Sequence, residues 1–472
     1  YLDRSLDLDP SVRSDVDFFY GQIHHRLAKL DESIQYFLAF LAHHTGVQAG
    51  IPKSDDYAGI REFLEKVDNR HWNDFDNYMA RKHVNQCLFA KEEMANPAPV
   101  VVANMGRAVN SRFDDYTPSV SANGKLIIFT SRRSDTKGGE IDEGGDFKYF
   151  EDIYYSEWDE EKMEWTKSRG VEGEVNTPTY DAVLSLSPGA DRMFIYKNNR
   201  ESAGDIFTAV YDKHAQEWRA PEKLPRPINT SYYEGSVSIT ADGETLYFIS
   251  ERPEGVGQGD IYIAEKRGEG WSAPRNLGEV INTDFDEKFV FIHPNGRTLY
   301  FSSNGHQTMG SYDIFKSEKV NGEWGVPVNL GYAINTVNEE STFSITRDNK
   351  TMLVAAEYED TFGERDIYTI DVSKYKMISE GYESSTFGTV VCTVLDDEGD
   401  RLRKVDVRVF GSTGDRMITE TRTDKVGLAK ISLPGNRSYR FVLEYKDIVK
   451  EIVVDLTMKE GDTVKKVEVT MD

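Results

Sequence analysis

One pattern recurs through the middle of the chain and limits what this part of it can fold into. An Asp-Ile-aromatic triplet begins at Asp152, Asp205, Asp260, Asp313 and Asp366. A tryptophan recurs every 53 residues, at Trp165, Trp218, Trp271 and Trp324. An Asn-Thr pair keeps the same period, with its asparagine at Asn176, Asn229, Asn282 and Asn335. Self-similarity at a fixed period of this length indicates a repeat architecture, in which each copy packs against the next.

Each repeat is predicted to contain four short β-strands. In the copy that follows Asn229, an Asp242-Gly243 pair separates two short apolar runs, which is typical of a tight hairpin turn. Two further strand-like segments follow before the next Asn-Thr pair. Since four strands are the size of one propeller blade, residues 97–379 are predicted to form a five-bladed β-propeller, with six blades as the alternative.

The two ends of this region predict that the repeats close into a ring. The segment 98–110, which precedes the first triplet, is similar to the tail of a later repeat, 273–282. The last repeat stops after Asp371 without a tryptophan or an Asn-Thr pair of its own. We therefore expect an N-terminal strand to complete the last sheet, because closure removes exposed strand edges. The repeats resemble those of TolB-like periplasmic propellers, also called PD40 or WD40-like repeats.

A helical period replaces the strand pattern in residues 1–96. Two helices are predicted before His44, and further helical pattern extends to Ala95. The first two helices resemble a tetratricopeptide repeat, with Gly21 at the tight helix contact. Because such repeats bury their apolar faces only by stacking, we expect more of them upstream. The chain lacks an initiator Met and opens within a pattern, so we expect a fragment or a processed chain.

The first helices of a tetratricopeptide array line a groove that usually holds peptides. The resemblance therefore implies a partner-binding surface made of Asp15, Phe18, Gln22, His25 and Arg26. The alternative is that these side chains only pack against a preceding repeat.

After a linker at 380–387, residues 388–472 carry a different β pattern. Short apolar segments alternate with turns at regular spacing, which predicts a β-sandwich. The segment resembles the carboxypeptidase regulatory-like, or transthyretin-like, domain. The matching features are the Gly388-Thr-Val opening, the Thr423-Asp-Lys-Val-Gly turn and the Leu433-Pro-Gly that precedes an aromatic strand. This resemblance implies a structural module without catalysis.

The charge balance excludes several classes of partner. Lysine and arginine number 56 against 81 acidic residues in 472, which gives a net charge of −25. Such a surface repels phosphate, so nucleic-acid binding is not expected.

No apolar run is long enough to predict a transmembrane segment. Cys87 and Cys392 are predicted to be small buried side chains rather than a disulfide or a zinc site.

The sequence contains no pattern that predicts catalysis. Neither G-x-S-x-G nor H-E-x-x-H occurs, and the glycine-rich segment 255–259 precedes no predicted helix, so it is not a phosphate loop.

The acidic insertion 134–146 has the oxygen ligands that calcium needs, although a solvated loop is favoured. The recurrent aspartate of the triplet is expected to cap backbone N–H groups at a strand start. We predict that the chain is not an enzyme and binds no cofactor or metal.

The order of the modules is a further clue. Helices, a propeller and a regulatory-like sandwich in series resemble the PorE-like envelope proteins of the Bacteroidetes type IX secretion system. Those proteins end in an OmpA-like peptidoglycan-binding domain, which this chain does not include. The resemblance implies a non-catalytic periplasmic scaffold associated with the outer membrane, bound to other secretion proteins and, through the OmpA-like domain, to peptidoglycan. The alternative is a sensor that binds a small ligand or glycan in the propeller's central channel.

Overall fold

The computed structural model describes residues 13–47, 50–68, 75–121, 123–198, 204–320, 322–379, 388–411, 417–433, 438–446, 448–456 and 464–471. The chain is mainly β, as predicted. The predicted linker, 380–387, lies outside the described residues, as do residues 1–12. Within the described part of the chain, no helix is long and apolar enough to cross a membrane.

Among the residues that the structure describes, four helices precede the first strand: α1 (Arg13–Arg26), α2 (Leu30–Thr45), α3 (Tyr57–Asp68) and α4 (Phe75–Ala95). They confirm the predicted helical segments. The apolar residues of α2 recur every three or four positions, so Ile34, Phe37 and Leu41 share one face and are fully buried. Gly21 of α1 lies against the Phe37 ring, where an added Cβ would come within 2.8 Å of it. Glycine at this position therefore allows α1 and α2 to approach closely.

In the described part of the chain, strand β1 (Val101–Asn104) is followed by five antiparallel sheets, which we number repeat sheets 1 to 5. Repeat sheet 1 contains β2 (Asp115–Val120), β3 (Leu126–Ser131), β4 (Asp152–Asp159), β5 (Glu164–Trp165) and β6 (Arg169–Gly170). Repeat sheet 2 contains β7 (Asp181–Leu186), β8 (Arg192–Lys197), β9 (Asp205–Asp212), β10 (Glu217–Trp218) and β11 (Glu222–Lys223). Repeat sheet 3 contains β12 (Glu234–Ile239), β13 (Thr245–Ser250), β14 (Asp260–Arg267), β15 (Gly270–Trp271) and β16 (Arg275–Asn276).

The last two repeat sheets follow the same plan. Repeat sheet 4 contains β17 (Glu287–Ile292), β18 (Thr298–Ser303), β19 (Asp313–Val320), β20 (Glu323–Trp324) and β21 (Val328–Asn329). Repeat sheet 5 contains β22 (Thr342–Ile345), β23 (Thr351–Ala356) and β24 (Asp366–Asp371), together with β1.

The predicted four strands per repeat are present, and in repeat sheets 1 to 4 the fourth strand is divided into two short pieces. In repeat sheet 3, β15 and β16 both pair with β14. Pro274 lies between them and has no N–H to donate, so the pairing is interrupted there. The second strand is buried on both faces, since Leu246 and Phe248 are as inaccessible to water as Tyr247 and Ile249.

Two sets of hydrogen bonds confirm that the first strand completes the last sheet. Strand β1 pairs antiparallel with β24. Asn110 accepts a bond from Ile367 N at 2.8 Å and donates to Ile367 O at 2.9 Å. In another repeat, Asn229 makes the same two bonds with Ile206, at 2.9 and 2.8 Å. The asparagine that precedes the first triplet therefore binds the triplet of the last repeat.

Each repeat sheet contacts the next. The hydrogen bonds that join them run from Leu186 N to Ser119 Oγ (2.9 Å), Ser185 Oγ to Val237 O (2.5 Å), Val290 N to Ser236 Oγ (3.0 Å), Ser302 Oγ to Ser341 O (2.9 Å) and Thr117 N to Thr342 Oγ1 (3.2 Å). The last of these joins repeat sheet 5 to repeat sheet 1. The five sheets thus follow one another around a ring, and small hydroxyl side chains lie between them.

Beyond the ring, α5 (Lys376–Ser379) leads toward two further sheets. Their strands are β25 (Gly388–Leu395), β26 (Asp406–Gly411), β27 (Met417–Arg422), β28 (Leu428–Leu433), β29 (Ser438–Tyr445), β30 (Ile448–Asp455) and β31 (Val464–Thr470). One sheet has the order β28-β25-β31 and the other β27-β26-β29-β30. Val390 and Ala429 of the first sheet share one apolar core with Val407 and Phe441 of the second.

Candidate binding cleft between the helices and the repeat sheets

The helices contact the loop that joins β18 to β19. Gln86 of α4 donates from Nε2 to Thr308 Oγ1 at 2.7 Å and to Gly310 O at 2.6 Å. His25 of α1 donates from Nε2 to Met309 O at 2.8 Å. The side chain of Met309 is fully buried in the same apolar core as α2. One core therefore joins the helices to repeat sheet 4.

A second contact lies beside this loop. The ammonium group of Lys82 lies 3.6 Å from the centre of the Phe285 ring and donates to Asn304 O at 2.5 Å. Tyr78 stacks on the same ring, with the two ring centres 5.7 Å apart. Burial lowers the pKa of Lys82 to about 8. A cation held over an aromatic ring in a partly desolvated place stabilises the docking of α4 on the repeat sheets.

Two histidines are buried in this interface. The rings of His25 and His83 lie 5.7 Å apart, and His83 stacks on Phe37 at 4.8 Å. Burial lowers the pKa of His25 and lowers the pKa of His83 to about 4. Both imidazoles are therefore neutral at pH 7, and the interface contains no buried imidazolium charge.

The five sequence-predicted partner-binding residues all lie on α1. Asp15 and Arg26 are exposed, Phe18 and Gln22 are half-buried, and His25 is buried. Phe18 packs edge-on against two aromatic rings of α2, at 5.5 and 5.1 Å. The structure thus directs Phe18 and His25 toward neighbouring elements, whereas Arg26 borders a cleft. Their role in partner binding stays a prediction.

Another part of α1 is apolar and exposed. Phe19, Ile23 and Leu27 are spaced four residues apart, so they lie in one row along α1 and the turn that directly follows it. Their exposed fractions are 51%, 44% and 60%. Phe18, which is next to Phe19 in the chain, is instead packed against α2.

A cleft of about 940 Å³ opens beside the end of α1. Its walls come from the ends of α1 and α4, from β1, and from loops of repeat sheets 4 and 5. Arg26 and Tyr332 line it, together with Tyr368 and the segment 357–360. The cleft therefore combines residues that are far apart in the sequence.

Carboxylates and tyrosines dominate one side of the cleft. Glu357, Glu359 and Asp360 are exposed. The hydroxyl of Tyr368 donates to Asp360 Oδ1 at 2.8 Å, and the ring of Tyr358 meets that of Tyr368 edge-on at 4.6 Å. Burial is the main cause that raises the pKa of Tyr368 to about 12, so this tyrosine stays a hydrogen-bond donor. Acids beside aromatic rings are the combination that attracts cations.

A buried carboxylate stands near the start of the first strand of every repeat sheet, and we call these five groups the inner carboxylates. They are Asp115, Asp181, Glu234, Glu287 and Glu340. Each accepts bonds from the Ser or Thr four residues earlier; Thr283, for example, donates from N and Oγ1 to Glu287 at 3.0 and 2.9 Å. The threonine of the Asn-Thr pair is therefore a structural partner of this carboxylate.

The repeat sheets differ in what faces the inner carboxylate. Ion pairs form between Asp115 and Arg133 (2.9 Å), Asp181 and Lys197, and Glu234 and Arg252 (3.6 Å). Among the described residues, no lysine or arginine pairs with Glu287 or Glu340. Burial is the main cause that raises the pKa of Glu287 to about 7 and the pKa of Glu340 to about 8. The ring is thus ion-paired in repeat sheets 1 to 3 and not in 4 and 5.

The aspartates of the Asp-Ile-aromatic triplets cap backbone N–H groups. Asp260 accepts from Gly257 N at 3.1 Å and also from Val256 N. Asp313 accepts from Met309 N at 2.7 Å and from Gly310 N at 3.1 Å. These bonds confirm the structural role predicted for the triplet aspartate.

Three acids of the insertion 134–146 accept hydrogen bonds from protein donors. The hydroxyl of Tyr154 donates to Asp135 at 2.9 Å, Arg132 Nη2 donates to Asp146 at 2.9 Å, and the hydroxyl of Tyr180 donates to Asp142. Over the part of the chain that the structure describes, no three His, Cys, Asp or Glu side chains are grouped to hold a metal ion. The two cysteines are buried and unpaired, as predicted.

Sequence reasoning missed the inner carboxylates and the cleft. The first have a visible signal, since an Asp or Glu follows the Thr of each Asn-Thr pair by four residues. The second has a weaker one. Tyr358 occupies the position where Arg133 and Arg252 stand in two other copies, so the repeat at the cleft departs from those two.

A scan against protein-family models finds no match, and neither does a search of curated proteins. Among solved structures, TolB from Acinetobacter baumannii aligns over 62% of this chain and 69% of its own, at 13% identity and a TM-score of 0.36. A putative TolB from Agrobacterium tumefaciens aligns over 72% and 90%, at 13% identity and a TM-score of 0.35. A GH43 β-xylosidase/α-arabinofuranosidase from a compost microbial metagenome aligns over 57% and 94%, at 13% identity and a TM-score of 0.38. These likenesses are remote.

Proposed function

We propose that this chain is a non-catalytic scaffold of the bacterial envelope that acts as a rigid adaptor. In this proposal the repeat sheets are a five-bladed β-propeller over 97–379, preceded by tetratricopeptide-like helices over 1–96 and followed by a transthyretin-like sandwich over 388–472. The supporting observation is the apolar core that joins the helices to repeat sheet 4 through Met309. A shared core holds the surfaces of two modules at a fixed distance, which is what an adaptor requires.

The proposed location is the periplasm, in association with the outer membrane and the type IX secretion machinery. The order of the modules supports this location, and peptidoglycan would be bound by an OmpA-like domain outside this chain. Sedimentation with isolated peptidoglycan tests the arrangement. We expect the full-length product to sediment with peptidoglycan and residues 1–472 alone to stay in solution. If this chain sediments by itself, the cell-wall contact lies within it and the proposed division of labour is wrong.

The proposed partner surface includes Asp15, Gln22 and Arg26 on α1 together with the cleft. A photocrosslinking residue at Gln22, introduced in the native envelope, is expected to capture a secretion-system protein. The same probe at Glu217, which is exposed on a hairpin of repeat sheet 2, is the control. Equal capture at both positions would show that crosslinking reports abundance rather than a binding surface.

The alternative function, a sensor that binds a small ligand or glycan in the propeller's central channel, has less support. Ser119 and Ser236, on the first strands of their sheets, are used in hydrogen bonds between neighbouring sheets rather than left open to the axis. A thermal-shift screen with cell-wall fragments and sugars tests this alternative, since a ligand that binds only the folded form raises its melting temperature. A saturable rise with one sugar would favour the sensor over the scaffold.

A further inference from the structure

The other repeats provide an internal comparison for the cleft. Arg133 and Arg252 each stand two positions after the last residue of the second strand, and Tyr358 stands at that position in repeat sheet 5. The register supports this equivalence, because in all three sheets that last residue pairs with the triplet aspartate. The two guanidinium groups lie 4.7 and 4.8 Å from the ring centres of the tyrosines in their own triplets. Tyr368 is the corresponding tyrosine in repeat sheet 5.

Repeat sheet 5 keeps the triplet tyrosine and the loop aspartate of this site. Tyr368 donates to Asp360 at 2.8 Å, as the triplet tyrosine of repeat sheet 1 donates to its own loop aspartate at 2.9 Å. The inner carboxylate Glu340 is buried, and no described lysine or arginine pairs with it. Glu357 and Glu359 add two exposed carboxylates in the same loop. Glu357, Glu359 and Asp360 therefore give the site negative charge, and the arginine of its two counterparts is replaced by Tyr358.

Open space lies at this position. The cleft of about 940 Å³ is large enough for several amino-acid residues. Its described lining contains the acids Glu357, Glu359 and Asp360 against one cationic side chain, Arg26. A cation from outside the chain would therefore meet a net negative wall beside aromatic rings.

We propose that the cleft binds the guanidinium group of an arginine carried by an extended segment of a partner protein. The guanidinium lies beside the rings of Tyr358 and Tyr368, with Glu357, Glu359 and Asp360 as acceptors. Planar guanidinium groups form the best-defined hydrogen bonds with carboxylates, which favours arginine over lysine. This inference rests on the proposed adaptor role and specifies the chemistry of the partner.

The test compares two peptides with the whole chain at low salt. The probe is acetylated, amidated Ser-Gly-Arg-Gly-Arg-Gly-Ser, and its control carries citrulline in place of both arginines. Citrulline keeps the length and the planar end group of arginine but has no charge. Calorimetric titration is expected to show the arginine peptide binding roughly tenfold more tightly. Equal affinities for the two peptides would overturn the proposal.

Two variants locate the binding. Tyr358→Arg supplies the missing guanidinium from within, so the preference for the arginine peptide is expected to disappear while the unfolding midpoint is not lowered. Neutralising the cleft with Glu357→Gln, Glu359→Gln and Asp360→Asn together is also expected to abolish the preference.

The control triple variant is Glu161→Gln, Glu164→Gln and Glu217→Gln, whose acids are exposed on hairpins of repeat sheets 1 and 2. It changes the net charge equally and should keep the preference. If both triple variants lose it alike, the peptide binds the acidic surface in general and the proposal fails.

Free arginine amide is the third ligand. If it binds as tightly as the peptide, the cleft is a small-molecule site and the peptide part of the proposal is wrong. Failure here is distinguishable from failure of the adaptor role. If envelope partners are captured from Gln22 but the arginine peptide is not preferred, the adaptor role stands and only the cleft assignment is wrong. If the arginine peptide is preferred but no partner is captured, the cleft assignment stands and the adaptor role is wrong.

Discussion

Repeat sheets 1 to 3 and repeat sheets 4 and 5 share one backbone design but differ in how they hold the inner carboxylate. In repeat sheet 3 the guanidinium of Arg252 lies 3.6 Å from Glu234. In repeat sheet 5 the neutral Tyr358 replaces that guanidinium, and the pKa of Glu340 is raised to about 8, mainly by burial. The same fold thus accommodates a buried ion pair in one sector and a buried carboxylic acid in another.

The difference shows which part of the repeat is structural and which part is free to vary. The bonds between the repeated asparagine and the triplet isoleucine are kept in every copy, from Asn110 to Asn335. Among the described residues, the inner carboxylate has no lysine or arginine partner only in repeat sheets 4 and 5, and these are the sheets that contact the helices and line the cleft. Departures from a repeat pattern at an open surface indicate a functional constraint rather than a folding one.

The largest expected effect on stability comes from replacing Arg252 in repeat sheet 3, and the comparison is with Tyr358 at the same position in repeat sheet 5. Arg252→Met leaves Glu234 buried without its cation, which should destabilise the chain by about 3–5 kcal/mol. Tyr358→Phe should change stability by less than about 1 kcal/mol, because the buried Tyr358 hydroxyl has no hydrogen-bond partner among the described residues. Urea unfolding of both variants measures the contrast. Equal shifts of the two unfolding midpoints would show that repeat sheets 3 and 5 do not differ in this way.

A smaller effect, a gain rather than a loss of stability, is expected from replacing the inner carboxylate Glu340. The pKa of Glu340 is about 8 in the folded chain against an ordinary 4.5, so the folded state keeps its proton where the unfolded state has lost it. Stability from this group is fully present below about pH 4.5 and is lost as the pH rises through about 8. Glu340→Gln should therefore be more stable than the parent at pH 9, by about 1–3 kcal/mol.

Glu234→Gln is the matched control for that variant. It leaves the Arg252 guanidinium without its carboxylate, so stability should fall across the whole range from pH 5 to pH 9. Melting temperatures over this range measure both variants. A shift in the same direction for the two would contradict the assignment of a neutral carboxyl to repeat sheet 5.

Much of the ring follows from local repetition, which is why the sequence predicts it. The closing strand is predicted because the segment 98–110 has the pattern of a repeat tail, and the bonds between Asn110 and Ile367 require only that pattern. The capping role of the triplet aspartate is predicted for the same reason. Each of these features recurs, so each copy tests the interpretation of the others.

The docking of the helices and the cleft depend on contacts that occur once. The bond from His25 to Met309 joins residues far apart in the chain, and no period indicates it. The exposure of Phe19 and Ile23 likewise depends on which neighbour covers α1. Tyr358 is visible as a departure from the repeat, but the space beside it exists only because the end of α1 lies there. Sequence patterns predict the repeated bonds and leave the single ones undetermined.

The smallest expected effect on stability concerns His306 in repeat sheet 4, which is one of the two sheets whose inner carboxylate pairs with no described lysine or arginine. His306 of repeat sheet 4 donates from Nε2 to Ile281 O at 2.8 Å, whereas Arg252 donates to Ile228 O, the corresponding carbonyl, at 3.0 Å. Burial lowers the pKa of His306, so it makes this bond as a neutral ring. His306→Leu should then cost only one hydrogen bond, about 1 kcal/mol at pH 7.

The pH profile of that variant separates a neutral donor from a charged one. A histidine whose folded pKa lies below its ordinary 6.5 binds fewer protons than in the unfolded chain, so the parent loses stability as the pH falls below 6.5. His306→Leu should lose less over the same range, while His214→Leu, at an exposed histidine, should follow the parent. Thermal unfolding from pH 7.5 to pH 5 measures this. A loss at pH 7 as large as that of Arg252→Met would mean that His306 is charged, and the two sectors would then hold their carboxylates alike.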